Sequence, residues 1–359
     1  MKFKSFSYYA FVDAKKSPGV VKKIRNTLSA AEQSGLEVDE QIYNTSIKGV
    51  MGCLISILIC KSEVVMIRFS DLVFPVLFFI MIVMRLKGQK IIIDVPTPRI
   101  VGLKEMNTAI ANVFKRGGRK LYSYASASWV MLPANLIVQY ADEGRYFSFG
   151  VIHKTIKIGN GILINDDIQM TKAIWPSTEL NLIAVAQLAD WHGYDRLLRA
   201  LAEANKIGGF SYQINLTIVG DGEAFPSLKR LALELELKNV VFTGRLTGND
   251  LDNVFQNSHV GVSSLGLYRK GLNEASDLKT REYMSRGLSI IAAGSDPDFV
   301  RNSPFRFVIS NDDGISDLLS FFKQLQHADL KKPQAICSYA KNHLSINSKL
   351  LRILSAIES

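Results

Sequence analysis

Short apolar runs alternate with helical patterns through the second half of the chain. Strand-type runs occur at "LNLIAVAQL", "YQINLTIVG", "NVVFTG", "HVGVSS" and "LSIIAAG". Between them lie segments of helical period, such as "GYDRLLRALAEANK", in which Leu197, Leu198 and Leu201 share one side. Strands that alternate with helices over short connections pair in parallel through right-handed crossovers. Residues 180–310 are therefore predicted to form a doubly wound, Rossmann-like α/β domain.

The first half shows the same order less clearly. We predict strands at "SFSYYAFVD", "SEVVMIRFS", "KGQKIIIDVP" and "ASWVML", and a helix at "VVKKIRNTLSAAEQSG". Residues 72–84 form an apolar run shorter than the roughly 20 residues that a membrane-spanning helix needs. This run is predicted to be a buried helix of an α/β domain. Two Rossmann-like halves are expected, with the break in the polar segment 165–178 and a central cleft between them.

Composition and charge narrow the function classes. The chain has 359 residues and a formal net charge of +10, which favours an anionic partner such as a phosphate-bearing substrate or a phospholipid surface. The three cysteines have no metal-ligand spacing, so structural thiols in a reducing compartment are expected. The first twelve residues lack the apolar core of a secretory signal. No RNA- or DNA-binding motif is present, and nucleic acid is not expected as a partner.

The segment "NEASDLKTREYMSRGLSII", residues 273–291, holds the candidate chemistry. Ser276 or Asp277 is a suitable N-cap, so a helix is predicted to begin near Leu278 and to end at Gly287. Free backbone amides at a helix start bind anions, and the side chain of Lys279 adds a full charge. Glu274 and Glu282, on either side of this start, can accept hydrogen bonds from hydroxyl groups that flank a diphosphate. Taken alone, the pattern also fits a capped helix with two solvated glutamates.

Several other segments carry a family resemblance. They are "IGNGI", "LIAVAQLADWHGYDRLLRAL", "TIVGDGE", "VVFTGRL", "LKTREYMSRG" and "IIIDVPTPR". Together with the Glu-x7-Glu spacing, they resemble the bacterial group-1 (family-4) retaining glycosyltransferases of GT-B fold. They are most similar to the subgroup that builds capsule and O-antigen polysaccharides. The resemblance implies a hexosyltransferase with two Rossmann-like domains facing a central cleft.

The resemblance also implies roles for domains. Residues 1–165 would bind the acceptor, residues 176–335 would bind the nucleotide-sugar donor, and residues 336–359 would form a C-terminal helix that packs back toward the N-terminal domain. The class does not usually need a metal, and no Asp-x-Asp metal motif is apparent in this sequence. No cofactor is expected beyond a nucleotide-diphosphate-sugar as donor substrate.

Site residues follow from the resemblance position by position. Glu282 matches the glutamate that binds the ribose, and Glu274 matches the one that contacts the transferred sugar. The amides of Leu278 and Lys279 match the diphosphate cradle. The remaining implied donor-binding positions are Arg245, where the backbone meets the base, Gln187, Gly193 in "WHGYDR", and Gly19 in a glycine loop of the first domain.

Two departures from the family pattern concern charge. The class usually has an Arg and a Lys after the first strand of the donor domain, where this chain has Gln187 and His192. Asp277 stands where a glycine is usual. We therefore predict Lys279 as the principal cation on the leaving diphosphate, assisted by a charged His192, with Glu274 completing the catalytic set. A histidine packed beside Trp191 is the alternative for His192, and a non-catalytic nucleotide-sugar-binding or assembly subunit is the alternative for the whole chain.

Two basic clusters bear on the acceptor. They comprise Lys2, Lys4, Lys15, Lys16, Lys22, Lys23 and Arg25 in the first, and Lys104, Lys115, Arg116, Arg119 and Lys120 in the second. A basic surface with an apolar edge suits an anionic bilayer. The expected acceptor is lipid-linked or an oligosaccharide, and a saccharide linked to polyprenyl diphosphate is the preferred candidate. The expected location is cytoplasmic and peripheral on the cytoplasmic face of the inner membrane. An ordinary solvated basic face remains the alternative.

Overall fold

The computed structural model describes residues 2–15, 17–165, 167–299, 303–325 and 330–358. The chain divides into two compact units, the first formed by Met1–Gly159 with Ile346–Ser359 and the second by Asn160–Ser345. Each unit contains one six-stranded parallel sheet. Lys16 of the first basic cluster lies outside the described residues.

The strands are short and parallel, as the apolar runs predict. They are β1 Ser5–Phe11, β2 Glu37–Tyr43, β3 Val64–Arg68, β4 Lys90–Val95, β5 Leu136–Gln139, β6 Thr155–Lys157, β7 Glu179–Val185, β8 Gln213–Val219, β9 Val240–Gly244, β10 Val260–Val262, β11 Ser289–Ala293 and β12 Arg306–Ile309. The first sheet has the order β2-β1-β3-β4-β5-β6, and the second has the order β12-β11-β10-β7-β8-β9. The α/β class predicted for both halves is confirmed.

Helices connect the strands on both faces of each sheet. They are α1 Pro18–Gln33, α2 Ile47–Ile59, α3 Phe74–Leu86, α4 Arg99–Ala109, α5 Val113–Ser126, α6 Arg145–Ser148, α7 Tyr194–Ile207, α8 Phe225–Glu234, α9 Gly248–Gln256, α10 Leu278–Ser285, α11 Ser316–Gln324, α12 Pro333–Tyr339 and α13 Ile346–Glu358. In the described part of the chain, no helix combines the length and apolar character that crossing a membrane would require.

The ends of the two units differ from the expected segments. The division falls between Gly159 and Asn160, earlier in the chain than the polar segment 165–178. Residues 336–345 belong to the second unit, and only α13 returns to the first, where it packs against α1. Residues 336–345 therefore pack into the core of the second unit, although they directly precede α13 in the sequence.

One predicted strand is wrong. The segment "ASWVML" does not form a strand, because Trp129–Met131 is a single turn of 3-10 helix. Val130 and Met131 are fully buried in the core of the first unit, so their apolar character reflects burial and not strand geometry. The strand of this region is β5, which begins at Leu136.

The prediction that residues 72–84 form a buried helix is only half right. The residues from Phe74 onward form α3, and Leu77, Met81 and Met84 are fully buried against the first sheet. The opposite side of α3 is exposed to solvent at Val76 and Phe79. An apolar run predicts that a helix packs against a core, but it does not predict how many sides of the helix are buried.

Part of the first basic cluster is engaged within its own unit. The Lys23 ammonium lies 3.5 Å from the centre of the Tyr140 ring, and burial lowers the pKa of Lys23 to about 8. Arg25 pairs with Glu40 at 3.0 Å. These two side chains are therefore not simple members of a solvated basic face.

Candidate functional site

The second sheet has a single reversal of strand order. The chain runs from β7 outward to β8 and β9, and then returns to place β10 on the other side of β7. The segments that follow β7 and β10 therefore leave the same edge of the sheet side by side. Ligands of open α/β sheets bind in the crevice that forms at such a reversal, at the carboxyl ends of the strands.

Glycines let the loops at this edge pack backbone against backbone. Gly193 has φ +65°, and a Cβ there would lie 2.7 Å from the backbone of Leu265 and Gly266. A Cβ at Gly220 would lie 1.9 Å from the carbonyl oxygen of Ala186. Because any side chain would collide with main-chain atoms, these positions require glycine for the shape of the crevice. Gly193, predicted to be a donor-binding residue, thus has a role in joining the loops after β7 and β10.

Helix α10 begins at Leu278 and ends before Gly287, as predicted from the sequence. Tyr283 fixes this helix against the sheet, because its hydroxyl accepts a 2.7 Å hydrogen bond from the backbone N–H of Val185. The Tyr283 ring covers Gly261 of β10 so closely that a Cβ would lie 2.3 Å from it. The start of α10 is consequently held at the reversal point.

A buried ion-pair network anchors the loop before α10. The Arg281 guanidinium donates to Asp296 at 2.7 Å and to Asp298 at 2.5 Å, and its Nε donates to the Asn160 carbonyl at 3.0 Å. Asn160, in the "IGNGI" segment, in turn donates from its backbone N–H to the Ser276 hydroxyl at 2.6 Å. Sequence reasoning missed Arg281, because only the tertiary structure brings its partners together.

Asp277 occupies the N-cap position of α10, but its side chain makes no capping hydrogen bond. Its carboxylate accepts a 3.0 Å hydrogen bond from the Ser263 hydroxyl, beyond the end of β10. Burial alone would raise the pKa of Asp277. The Lys279 charge and hydrogen bonds from Ser264 and Ser263 outweigh that effect and hold the pKa below its usual value. The N–H groups of the first turn, including that of Leu278, therefore have no side-chain cap.

Lys279 lies in this first turn and is half-buried. Its ammonium is 3.3 Å from the Tyr194 hydroxyl, to which it donates. Burial lowers the pKa of Lys279 to about 8, against the opposing effect of the nearby Asp277 carboxylate. The lysine is thus mostly charged at neutral pH and loses its charge in mildly alkaline solution.

The surroundings of His192 favour a neutral imidazole in the unliganded protein, whereas the sequence predicts a charged one beside a diphosphate. Burial, followed by the charge of Lys279, lowers the pKa of His192 to about 3. Its Nδ1 accepts a hydrogen bond from the Ala189 N–H at 3.2 Å, so the proton of the neutral ring lies on Nε2. The ring stacks on Tyr194, with centroids 5.5 Å apart. Tyr194, a residue without a predicted role, therefore contacts two of the three candidate catalytic side chains, Lys279 and His192.

The two glutamates flank the start of α10. Glu274 precedes the helix in a loop that bridges to Ser295, whose hydroxyl lies 3.5 Å from the Glu274 carboxylate. Glu282 lies on α10 itself, and its carboxylate is 3.9 Å from Arg286, one turn further along. Such a long and partly exposed ion pair contributes little to stability.

Gln187 lines two neighbouring cavities at the same edge. One has a volume of about 620 Å³ and is also lined by Asp221, Arg245 and Thr247, beyond the ends of β8 and β9. The other has a volume of about 410 Å³ and is also lined by His192. The structure thus brings Gln187 together with Arg245 around one cavity and with His192 around the other.

Gly19 does not belong to this group within the second unit. It lies in the first turn of α1, and an added Cβ would meet no atom within 4 Å. Packing within the first unit therefore does not require glycine at this position. As regards metals, the described residues contain no group of three or more His, Cys, Asp or Glu side chains suited to hold an ion.

All the predicted site residues except Gly19 fall within one family match. Residues 165–302 match the family model "Glycosyl transferases group 1". Most of the second unit is therefore similar to glycosyltransferase group 1 domains, which supports a glycosyltransferase activity with a nucleotide-sugar donor and a saccharide acceptor. A search of the curated proteins finds no significant match to the sequence.

Solved structures extend the likeness to the whole chain. A lipopolysaccharide outer core galactosyltransferase, WaaB, in its apo form, has a TM-score of 0.65 and 11% identity, covering 99% of both chains. A glycosyltransferase from Rickettsia africae has a TM-score of 0.62 and 15% identity, covering 99% of this chain and 98% of that one. The catalytic domain of starch synthase IV from Arabidopsis thaliana, bound to ADP and acarbose, has a TM-score of 0.62 and 10% identity, covering 99% of both chains. At these identities the likeness shows the fold, which is GT-B.

Proposed function

We propose that the protein transfers a sugar, with retention, from a nucleotide-diphosphate-sugar to a saccharide acceptor linked to polyprenyl diphosphate in surface polysaccharide synthesis. The main support is the start of α10, where first-turn amides without a side-chain cap and the Lys279 ammonium lie at the strand-order reversal of a glycosyltransferase group 1 domain. A diphosphate placed there would be stabilised by the amides, the helix dipole and the lysine charge.

In the proposed reaction the anomeric C–O bond of the donor breaks and the terminal phosphate oxygen keeps the electron pair. The acceptor hydroxyl oxygen bonds to the anomeric carbon on the same face, and its proton passes to the departing phosphate. Negative charge grows on the diphosphate as the bond breaks, so Lys279 and the α10 amides stabilise the transition state more than the ground state. The neutral His192 contributes a hydrogen bond from Nε2.

The carboxylates then have distinct tasks. Glu282, inside α10, would accept hydrogen bonds from the ribose, which changes little during the reaction. Glu274, in the loop before α10, would accept from hydroxyl groups of the transferred sugar, where contacts strengthen as positive charge develops at the ring. The cavity lined by Gln187 and Arg245 is the candidate place for the nucleoside.

A non-catalytic nucleotide-sugar binder of the same fold is the second candidate. One observation favours it: among the three side chains Gln187, His192 and Lys279, only Lys279 carries a charge at neutral pH. A single cation, that of Lys279, can hold the diphosphate of the donor more easily than it can stabilise the departing diphosphate during transfer.

The experiment that separates the two is donor hydrolysis followed by transfer. The protein is incubated with a panel of nucleotide-diphosphate-sugars, and release of the nucleoside diphosphate is measured without acceptor and then with a lipid-linked saccharide fraction. Release of nucleotide and a product of unchanged anomeric configuration are expected. Donor binding without release under either condition would favour the non-catalytic subunit.

A further inference from the structure

Helix α3 is apolar apart from Arg85 in its last turn, yet only one side is covered. Leu77, Met81 and Met84 are buried against the first sheet. A second stripe, of Val76, Phe79, Val83 and Leu86, follows the same helical spacing and faces solvent, with Phe79 at 67% and Leu86 at 83% exposure. A helix that is apolar all round is normally enclosed by a core or by lipid. The outer stripe of α3 therefore has the composition of a surface that something covers.

Helix α2 extends this surface. It packs beside α3, and both helices cover the same core cluster of the first sheet. Its outer side exposes Ile47, Met51, Ile55 and Ile59, again at helical spacing. We call the exposed side chains of these two helices the α2–α3 face. A contiguous apolar face on two adjacent helices marks a binding surface more often than isolated exposed residues do.

The charges on these helices are all positive. Lys48 of α2 and Arg85 of α3 are their only charged side chains, and both are exposed. The two acids nearest in the sequence, Glu63 and Asp71, lie outside the helices, and Asp71 pairs with Arg119. A second copy docking symmetrically through this face would bring like charges together. An anionic bilayer is complementary to it.

Helix α5, which carries most of the second basic cluster, adjoins the start of α3. The Tyr122 hydroxyl donates to the Leu72 carbonyl at 2.8 Å. Beyond this contact α5 presents Phe114, which is 91% exposed, next to an exposed Lys115. Apolar side chains beside basic ones are the arrangement by which proteins lie on an anionic membrane surface.

A groove along α3 has the same character. Its volume is about 590 Å³, and its lining includes the apolar side chains of Phe78, Ile82 and Leu86 and the basic side chains of Arg85 and Lys154. An apolar groove beside two cations fits part of a lipid chain with its phosphate-bearing headgroup.

We propose that the α2–α3 face docks the protein on an anionic bilayer, with Phe79, Val83 and the neighbouring apolar side chains inserted below the headgroups. Lys48, Arg85 and Lys115 then lie at the level of the lipid phosphates. This inference deepens the proposed function and rests on it, because the lipid-linked acceptor is the reason for the protein to bind a membrane.

The test is flotation of the full chain with vesicles of equal parts phosphatidylcholine and phosphatidylglycerol. The double variant Phe79→Ser/Val83→Ser should bind these vesicles about tenfold more weakly or worse, because two large apolar side chains no longer insert. Leu233→Ser, at a 72% exposed position on α8 of the second unit, is the matched control and should bind like the parent. The variant Lys48→Gln/Arg85→Gln should lose much of the preference for vesicles that contain phosphatidylglycerol over pure phosphatidylcholine.

Unchanged flotation of the Phe79→Ser/Val83→Ser variant would overturn the proposal. A parent protein that ignores vesicles but forms a dimer, which the same double variant dissociates in sedimentation velocity, would also overturn it in favour of a second copy. Donor hydrolysis is measured on every variant in detergent-free solution and should match that of the parent. Vesicle binding through this face by a parent protein without hydrolysis would leave the docking intact and count against the proposed function alone.

Discussion

The two units share one parallel α/β plan but distribute their apolar side chains differently. Among the described residues, twenty-three large hydrophobic side chains are exposed in the first unit, against six in the second. The second unit places several polar side chains of the candidate site around the start of α10. The first unit leaves the outer sides of α2 and α3 largely apolar, and α5 exposes apolar and basic side chains together. The same scaffold thus carries the candidate site for a small anionic ligand in one unit and a broad exposed apolar surface in the other.

The two units differ in the surroundings of two helices, the start of α10 in the second unit and the outer side of α3 in the first. At α10, buried ion pairs and tight glycine contacts fix a short helix so that its amides and Lys279 stay in place. At α3, the buried stripe holds the helix against the sheet, so the outer stripe is not needed for folding.

The largest expected effect is on stability at the anchor of α10. Arg281→Ala would leave Asp296 and Asp298 as buried carboxylates without their cation, which costs about 3–5 kcal/mol of unfolding free energy. Urea unfolding measures the difference. Arg230→Ala, at an exposed position on α8, is the control and should change stability by less than about 0.5 kcal/mol. Equal losses in both variants would mean that the network does not hold the helix.

The two stripes of α3 should separate in the same assay. Leu77→Ala removes a fully buried side chain and should cost about 2–5 kcal/mol. Phe79→Ser removes a larger side chain but should stay within about 0.5 kcal/mol, because that side chain gains little from folding in solution. A large loss for Phe79→Ser would show that the outer stripe is part of the core.

Lys279→Ala should cut turnover by roughly 30- to 1000-fold, since losing one well-placed charge costs about 2–4 kcal/mol in the transition state. Lys229→Ala, on the exposed side of α8, is the matched control and should retain parental turnover. The folded-state pKa of Lys279 is lowered, so the unliganded enzyme loses this charge as pH rises through about 8. The kcat/KM of the parent should fall over that range, and the Lys279→Ala variant should lack this fall. Parental turnover in the variant would refute the assignment.

Alanine substitutions of Glu282 and Glu274 should affect different constants, donor affinity for Glu282 and kcat for Glu274. Glu282→Ala should weaken donor binding by about 10- to 150-fold, the effect of losing hydrogen bonds to a charged group worth about 1.5–3 kcal/mol. Glu274→Ala should lower kcat more than donor affinity, because its contacts strengthen during the reaction. Steady-state kinetics with direct donor titration separates the two effects. Near-parental constants in both variants would remove the carboxylates from the site.

His192 should give the smallest effect and no pH dependence. Its pKa is lowered to about 3, so the ring stays neutral in the parent from mildly acidic to alkaline pH. His192→Ala should therefore reduce kcat/KM by a ratio that does not change between pH 6 and pH 9. If the loss of kcat/KM in His192→Ala becomes smaller as pH rises through the usual titration range of histidine, His192 is charged in the parent at low pH.

Local patterns predicted the strands of the second unit and the limits of α10 well, because apolar period, capping residues and glycine act over a few residues. They did not predict that Trp129–Met131 turns as a helix, or that α3 is covered on one side only. Both outcomes depend on neighbours distant in sequence. The same holds for the candidate site: Glu274, Lys279 and Glu282 are predicted from one segment, whereas the contacts of Tyr194 and Arg281 arise only in the folded unit.

Thermal shift with a panel of nucleotide-diphosphate-sugars tests the central claim most directly, since a ligand that binds the native state raises its melting temperature by mass action. We expect at least one donor to raise the melting temperature of the parent and of Lys229→Ala, and to raise that of Lys279→Ala clearly less. A panel that leaves the parent unchanged, or a donor that shifts the parent and Lys279→Ala equally, would contradict a diphosphate site at the start of α10.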